Sequence, residues 1–200
     1  MIRKFGIAAL AIAALIVSQT VNATAFRYLA LMDGPSESPP NASPGTGASQ
    51  VDYDDVTHMM RVQASFSGLV GTTSAAHIHA PTPAPFTLTA GVATQTPSFA
   101  GFPLGVTSGS MDTTFNLALS SSWNPSYISG NGGTPAGAEA AFFAAMNSGR
   151  AYFNIHTSFR SAGEIRGFML PVPVPEPATM ALAAVGFAAV IVGRRSRKHA

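Results

Sequence analysis

The sequence predicts an all-β domain with one short helix, flanked by an apolar segment at each end. Residues 60, 62, 64 and 66 are apolar and alternate with Arg61, Gln63 and Ser65, the period-two pattern of a strand with one buried face. Short apolar runs are separated by segments rich in Gly, Pro, Ser and Asn, which are typical of turns. Charged residues make up only 10% of the chain, and Ser, Thr, Gly and Ala are abundant, as in secreted β-rich domains.

Seven segments have strand character. The predicted strands cover residues 26–31, 48–53, 58–66, a segment ending at His79, 109–119, 150–157 and 164–170. Residues 33–47, 54–57 and 68–71 are the loop and turns between the first four strands, because Pro, Gly, Ser and Asp cluster there. Pro81, Pro83 and Pro85 interrupt any regular element, so we expect 80–108 to be a long loop with short strand pieces. The last two strands should form a hairpin.

One helix is predicted, over residues 136–148. Thr134 is a good N-cap, Pro135 suits the first helical position, and Gly149 suits the residue after the last turn. The segment between them is rich in Ala. Residues 120–134, rich in Ser, Gly and Asn, are expected to be a loop.

The N-terminal segment, residues 1–23, has the layout of a secretory signal peptide. Arg3 and Lys4 precede an apolar run at 5–17, and small residues at 21–23 form a cleavage site, so the mature chain is expected to start at Thr24. The alternative is an uncleaved anchor, but 13 apolar residues are short for about 30 Å of hydrocarbon.

The C-terminal segment combines three features in order. A Pro-rich linker at 171–177 contains Pro175, Glu176 and Pro177, and an apolar run at 178–193 follows it. The basic tail at 194–200 carries the four cations that would hold the end in the cytoplasm: Arg194, Arg195, Arg197 and Lys198. We therefore predict a transmembrane helix at 178–193; a buried core helix is the alternative.

This C-terminal arrangement resembles the PEP-CTERM sorting signal of Gram-negative bacteria. The resemblance implies recognition and processing by an exosortase-type membrane enzyme, and a transient anchor in the inner membrane. It also implies a bacterial envelope product, held on the periplasmic side and then placed at the cell surface or outside the cell.

Charge and cysteine content narrow the function of residues 24–170. This segment has five Arg, no Lys and eight acidic residues, a formal charge of −3, so the chain's pI of about 9.3 reflects its two ends. A mildly acidic domain does not suit nucleic-acid binding, which needs basic groups to displace phosphate counterions. The chain has no cysteine, so neither disulfides nor thiolate chemistry can contribute.

Three strand segments carry the polar residues of interest. Treated as strands, each places apolar residues on one face and polar residues on the other. The polar residues are His77 and His79, then Asn154 and His156, then Glu164 and Arg166. If the three strands are neighbours, these side chains share one face.

The segment 26–170 also resembles the CHRD domain, first described in chordin. The matching pieces are Leu31, Gly34, Glu37 and Pro39-Pro40, then Gly68-Leu69, then residues 76–79, then residues 152–157, and finally residues 163–167. One departure is the Pro-rich segment 80–85, where relatives are usually rich in Gly. The resemblance implies an antiparallel β-sandwich or barrel-like domain and no settled activity.

Two interpretations of the histidines remain open. In the first, His77 and His79 bind Zn²⁺ or Cu²⁺ with His156 as third ligand and Glu164 as a fourth ligand or outer partner. In the second, the histidines join Asn154, Glu164 and Arg166 in a buried polar network that fixes strand register.

Two further sites are weaker candidates. Asp52, Asp54 and Asp55 are candidate Ca²⁺ ligands, or simply a solvated acidic turn, because the Gly and Glu of a calcium loop are missing. Trp123 and Tyr127 are a candidate sugar platform, or aromatic residues that pack on the core.

Together these observations predict an exported envelope protein with a non-catalytic binding or structural domain. The expected partners, besides the processing enzyme and the inner membrane, are extracellular polysaccharide or matrix proteins. The alternative is a periplasmic or surface metal-binding protein that holds Zn or Cu through its histidines.

Overall fold

The computed structural model describes residues 25–173, which form eight β-strands and two α-helices. The strands are β1 (Ala25–Asp33), β2 (Thr46–Asp54), β3 (Met59–Ser67), β4 (Thr73–His79), β5 (Gly109–Asn116), β6 (Tyr152–Thr157), β7 (Ile165–Phe168) and β8 (Leu170–Val172). The helices are α1 (Pro125–Gly130) and α2 (Pro135–Asn147). The signal peptide, the sorting motif, the transmembrane helix and the basic tail predicted above lie outside the described residues.

All eight strands belong to one antiparallel sheet that curls into a half-barrel. The strand order is β4-β6-β7-β1-β2-β3-β5, and β8 pairs with β1 beside β7. β1 therefore lies in the middle of the sheet, with β2 on one side and the last two strands on the other. This architecture confirms the predicted fold class, and β6 and β7 form the predicted hairpin.

One face of the sheet packs against the core. Residues 60, 62, 64 and 66 of β3 are buried, as their alternation predicts. Helix α2 packs against the sheet through Phe143, whose ring stacks on Tyr53 with centroids 3.5 Å apart. Every residue of the hydrophobic core cluster lies between Tyr28 and Met169. Residues 25–173 thus contain the whole of this core, and we expect them to fold without either end.

Residues 120–134 are not the simple loop that their composition predicts. They contain a 3-10 turn at Ser120–Ser122 and helix α1. Asn124 caps α1 by accepting the Ser126 N–H at 3.0 Å, and Pro125 occupies its first turn. The same signature, with Thr134 accepting from Gly137, starts α2 as predicted.

Trp123 and Tyr127 lie in the core and do not form an exposed platform. Trp123 is 2% exposed and Tyr127 7%, and their rings stack with centroids 6.1 Å apart. The Trp123 indole N–H donates to the carbonyl of Leu117 at 2.8 Å, so its polar atom is satisfied inside the protein. The packing interpretation is therefore the one that the structure supports.

The segment predicted as one strand over 164–170 is two strands. β7 ends at Phe168, Met169 is buried and donates its N–H to the carbonyl of Ala151, and β8 then pairs with β1. In that pairing Val172 lies opposite Arg27, so the folded part extends two residues into the segment predicted as a linker.

The connection between β4 and β5 runs along the outer edge of β4. Ala93 and Thr94 donate their N–H groups to the Ile78 carbonyl, and Phe99 donates to the Ala76 carbonyl. Apart from isolated bridges, this connection has no regular strand, as its prolines predict. Within residues 25–173, no helix has the length and apolar character needed to cross a membrane.

Candidate metal centre

The structure brings the three polar segments together. β4, β6 and β7 are neighbours, and Asn154 lies opposite both His77 on β4 and Arg166 on β7. The side of these strands that turns away from the core is called the polar face here. Despite its polarity this face is buried under the connecting segments: His77, His79, Asn154 and Arg166 are each at most 7% exposed.

The histidine cluster consists of His77, His79 and His156. One ring nitrogen of each residue lies within 4.8 Å of one from the other two. His79 Nε2 and His156 Nε2 are 3.4 Å apart. β4 supplies two of the rings and β6 the third, so the pairing of these two strands builds the cluster.

Backbone carbonyls fix the proton on each imidazole. A carbonyl oxygen only accepts hydrogen bonds, so the ring nitrogen that meets it must carry the proton, and the other nitrogen of the neutral ring has a free lone pair. The pairs are His77 Nε2 with Pro97 (2.7 Å), His79 Nδ1 with Ala90 (2.9 Å) and His156 Nδ1 with Ser161 (2.8 Å). His77 Nδ1, His79 Nε2 and His156 Nε2 are therefore unprotonated.

This arrangement suits a metal ion better than an internal hydrogen-bond network. His79 Nε2 and His156 Nε2 are both acceptors, so no hydrogen bond can join them. A tetrahedral or trigonal ion with about 2.0–2.1 Å bonds sets its ligand nitrogens about 3.3–3.6 Å apart, and the observed separation is 3.4 Å. His77 Nδ1 is buried and has no hydrogen-bond partner among residues 25–173. Metal-binding histidines typically donate their second N–H to a carbonyl or carboxylate, as these do.

Burial keeps the cluster neutral. It lowers the pKa of His77 and of His79 to about 4 each, although the hydrogen bonds that these rings donate to the Pro97 and Ala90 carbonyls act to raise the two pKa values. Burial also lowers the pKa of His156. Because a metal must displace protons from its ligands, rings that are already neutral favour metal binding over a wide pH range.

The metal-free domain should lose stability as the pH falls from 6.5 to 4. Histidine in the unfolded chain has a pKa near 6.5, so in this window His77 and His79 are protonated in the unfolded chain but stay neutral in the folded domain. Falling pH therefore favours the unfolded chain. Burial raises the pKa of Glu37 to about 7, so in most of this window Glu37 binds one proton in the folded domain that it does not bind in the unfolded chain. This stabilises the folded domain as the pH falls and offsets part of the loss. The net loss should be on the order of 3 kcal/mol. Urea unfolding at pH 7.5 and 4.5 measures this change in the free energy of unfolding. If a His77→Gln/His79→Gln variant lost as much stability between the two pH values as the wild type, the prediction would be wrong.

Glu164 does not belong to the histidine cluster. Its carboxylate accepts four hydrogen bonds, from the hydroxyls of Ser43 (2.6 Å) and Thr157 (2.7 Å) and from the N–H groups of Val70 (2.7 Å) and Gly71 (3.1 Å). Burial acts to raise the pKa of Glu164, but these four bonds outweigh it and the pKa is lowered. Glu164 is therefore neither a fourth ligand of a metal at the cluster nor an outer partner of one. It lies just before β7 and, through these hydrogen bonds, acts as an anchor that connects this point to β6 and to the segments at 43 and 70–71.

Arg166 packs on aromatic rings beside the cluster. Its guanidinium lies 4.8 Å from the centre of the Tyr152 ring. The Tyr152 ring also stacks on the ring of His79, with centroids 4.9 Å apart. Arg166 also donates to the carbonyls of Ser36 and Leu88, and lies 3.9 Å from the Glu37 carboxylate. Among the described residues, no side-chain hydrogen bond or ion pair joins Asn154, Glu164 and Arg166 to one another.

Asn154 and Glu37 leave acceptor atoms without donors. Asn154 Nδ2 donates to the Ala162 carbonyl at 3.3 Å, while Asn154 Oδ1 and Glu37 Oε1 are buried with no partner in residues 25–173. A Cβ placed on Gly163 would collide with both oxygens, so they line the same small space.

Tyr152 and Glu37 also belong to this site, although neither is among the site residues predicted from the sequence. Tyr152 has the same strand parity as Asn154 and His156, so the period-two rule would have placed it on the polar face. Glu37 comes from the loop after β1, and nothing in its spacing indicates that it reaches this face.

The remaining candidates lie elsewhere. Asp52 pairs with Arg27 at 2.6 Å, and Asp54 accepts the N–H groups of Val56 and Thr57 in the turn before β3, as expected of an acidic turn. His58, at the start of β3, is 3.0 Å from the Glu139 carboxylate of α2 and far from the histidine cluster in the sheet.

Comparison with known proteins confirms both resemblances. Residues 173–198 match the PEP-CTERM protein-sorting motif, which implies processing by an exosortase-type enzyme and points to an exported, envelope-associated protein. Searches of curated proteins and of solved structures found no match. Residues 28–169, which include nearly all of the sheet and the whole histidine cluster, match the CHRD domain. The chain therefore belongs to the CHRD domain family.

Proposed function

We propose that this chain is an exported envelope protein whose CHRD domain binds one Zn²⁺ or Cu²⁺ ion through His77, His79 and His156. The observation that carries the proposal is the histidine cluster itself. One ring nitrogen of each histidine lies within 4.8 Å of one from the other two, and every ring uses one nitrogen to pair with a backbone carbonyl. Three neutral nitrogen donors suit Zn²⁺ and Cu²⁺, whereas Ca²⁺ and Mg²⁺ prefer oxygen ligands.

In this proposal the ion cross-links two strands of the sheet. It joins edge strand β4 to β6, and the carbonyl bonds extend this link to the segments at Ala90, Pro97 and Ser161. A chain without cysteine gains from it the kind of cross-link that disulfides give other secreted domains. The alternative, a polar network without metal, leaves His79 and His156 facing each other with two lone pairs.

We assign the domain a non-catalytic binding or structural role outside the cell, in a matrix of polysaccharide or protein. The sorting motif supports this assignment, because exosortase systems are associated with exopolysaccharide production. The proposed partners are therefore matrix polysaccharides or matrix proteins, in addition to the processing enzyme.

Elemental analysis tests the metal site. Residues 24–173, purified without a His tag and dialysed after exposure to Zn²⁺ and Cu²⁺, should retain about one ion per chain. The His77→Ala/His79→Ala variant should retain none, while His58→Ala, which removes a histidine outside the cluster, should bind like the wild type. Circular dichroism establishes that each variant is folded. A wild-type domain that keeps no metal would exclude the proposal and leave the histidines as a purely structural network.

A further inference from the structure

The histidine cluster offers three ligands and no fourth. Among the His, Asp and Glu side chains of residues 25–173, no other lies within ligand distance of these three nitrogens. Glu164, on the same face, is fully used by its four donors. Zinc sites with a purely structural role have four protein ligands, whereas sites with three keep a position for water or another small molecule.

A second, independent observation concerns Asn154. It lies opposite His77 in the strand pairing and two residues before His156, and it is 2% exposed. Its Nδ2 is bound to the Ala162 carbonyl, which sets the orientation of the amide and leaves Oδ1 as a buried acceptor without a donor in the described segment. Such an atom costs about 1–3 kcal/mol unless a donor reaches it.

Three buried polar atoms on this face have no partner within residues 25–173. They are His77 Nδ1, Asn154 Oδ1 and Glu37 Oε1, and each belongs to a residue at most 7% exposed. Burial raises the pKa of Glu37 to about 7, so its carboxyl can carry a proton of its own. A cation would satisfy the nitrogen, and Asn154 Oδ1 needs an O–H or N–H group. A metal ion that carries a water molecule would supply both of these partners.

We propose that the bound metal carries a solvent molecule as its fourth ligand, that Asn154 Oδ1 accepts a hydrogen bond from it, and that small anions exchange with it. This inference rests on the metal site proposed above. The three imidazoles are neutral, so they would leave the charge of a divalent ion uncompensated by its protein ligands. An anion is therefore the favoured replacement. His156 is half-exposed, which gives solvent a route to the metal.

Cobalt substitution with azide as the probe tests the inference. Co²⁺ bound to residues 24–173 reports its coordination through its visible spectrum, and azide should change that spectrum saturably. A metal-bound water can donate a hydrogen bond to Asn154 Oδ1, whereas azide has no proton to donate. Removing this acceptor should therefore weaken the binding of water to the metal relative to the binding of azide. Asn154→Leu should therefore bind azide about fivefold more tightly, the equivalent of one hydrogen bond. Asn154→Asp, which keeps an acceptor and adds a negative charge, should bind azide more weakly than the wild type.

The outcomes separate this inference from the proposed function. One bound Co²⁺ whose spectrum ignores azide would mean that the protein closes the coordination shell, which overturns the inference and leaves the metal site standing. A domain that binds neither Co²⁺ nor Zn²⁺ would overturn both. Azide binding that is equal in the wild type, Asn154→Leu and Asn154→Asp would overturn the role of Asn154. If Asn154→Leu does not fold, the comparison with Asn154→Asp decides that point.

Discussion

Replacing Glu164 by alanine is expected to destabilise the domain by about 4 kcal/mol or to prevent it from folding. Glu164 is 0% exposed, and its carboxylate accepts four hydrogen bonds and forms no ion pair within residues 25–173. Its loss would leave the Val70 and Gly71 N–H groups facing a cavity with no acceptor. The Ser43 and Thr157 hydroxyls can rotate towards other acceptors, but backbone N–H groups cannot.

A graded series makes this prediction specific. Glu164→Gln keeps the volume but places an NH₂ group against one of the two N–H donors, so it should have an intermediate effect. Asp112→Asn is the matched control, because Asp112 is exposed and pairs with Arg61 on the surface; its loss should be below about 1 kcal/mol. Urea unfolding of residues 24–173 measures all three. Equal stability of Glu164→Ala and Asp112→Asn would refute the anchor role.

Zinc at about 100 times its dissociation constant is expected to stabilise the wild-type domain by about 2.7 kcal/mol. For a domain of this size, that corresponds to a rise in Tm of about 8 °C, reversed by a chelator. The physical reason is that the folded chain brings one ring nitrogen from each of three histidines within 4.8 Å of the others, a geometry that the unfolded chain does not offer to an ion.

Histidine variants locate this effect. The His77→Ala/His79→Ala variant should show no shift in Tm with zinc, and His156→Ala should need a higher zinc concentration for the same shift. His58→Ala should respond like the wild type, because His58 contacts Glu139 on a different part of the fold. Thermal scans with and without zinc measure the shift. A double variant that zinc still stabilises would place the ion elsewhere.

Local sequence patterns were enough to predict the strands and their faces. The alternation in β3 and the parity of His77, His79, Asn154 and His156 required only the period-two rule, and the structure agrees with both. Helix α1 was missed because the Ser, Gly and Asn content of 120–134 outweighed its start signal. Asn124-Pro125 has the same cap-and-proline form as Thr134-Pro135, so the signal was present.

The division of the polar face could not be predicted. Both interpretations of the sequence joined Glu164 to the histidines, whereas the structure separates the histidine cluster from the Glu164 anchor and from the stacked Arg166. What separates them are backbone groups: the N–H groups at 70–71 and the carbonyls of Ala90, Pro97 and Ser161. Every residue has these groups, so their positions follow from how the loops fold and not from side-chain identity.

The central position of β1 has a consequence for the order of events during secretion. If the predicted signal peptide directs export from the N-terminus, β1 is the first strand of the domain to cross the membrane, yet Arg27 pairs with Val172 and Asp33 pairs with Arg166. One side of β1 would then stay unpaired until β7 and β8 have crossed as well. In that case the sheet could be completed only after nearly the whole domain, up to the segment next to the sorting motif, has been exported.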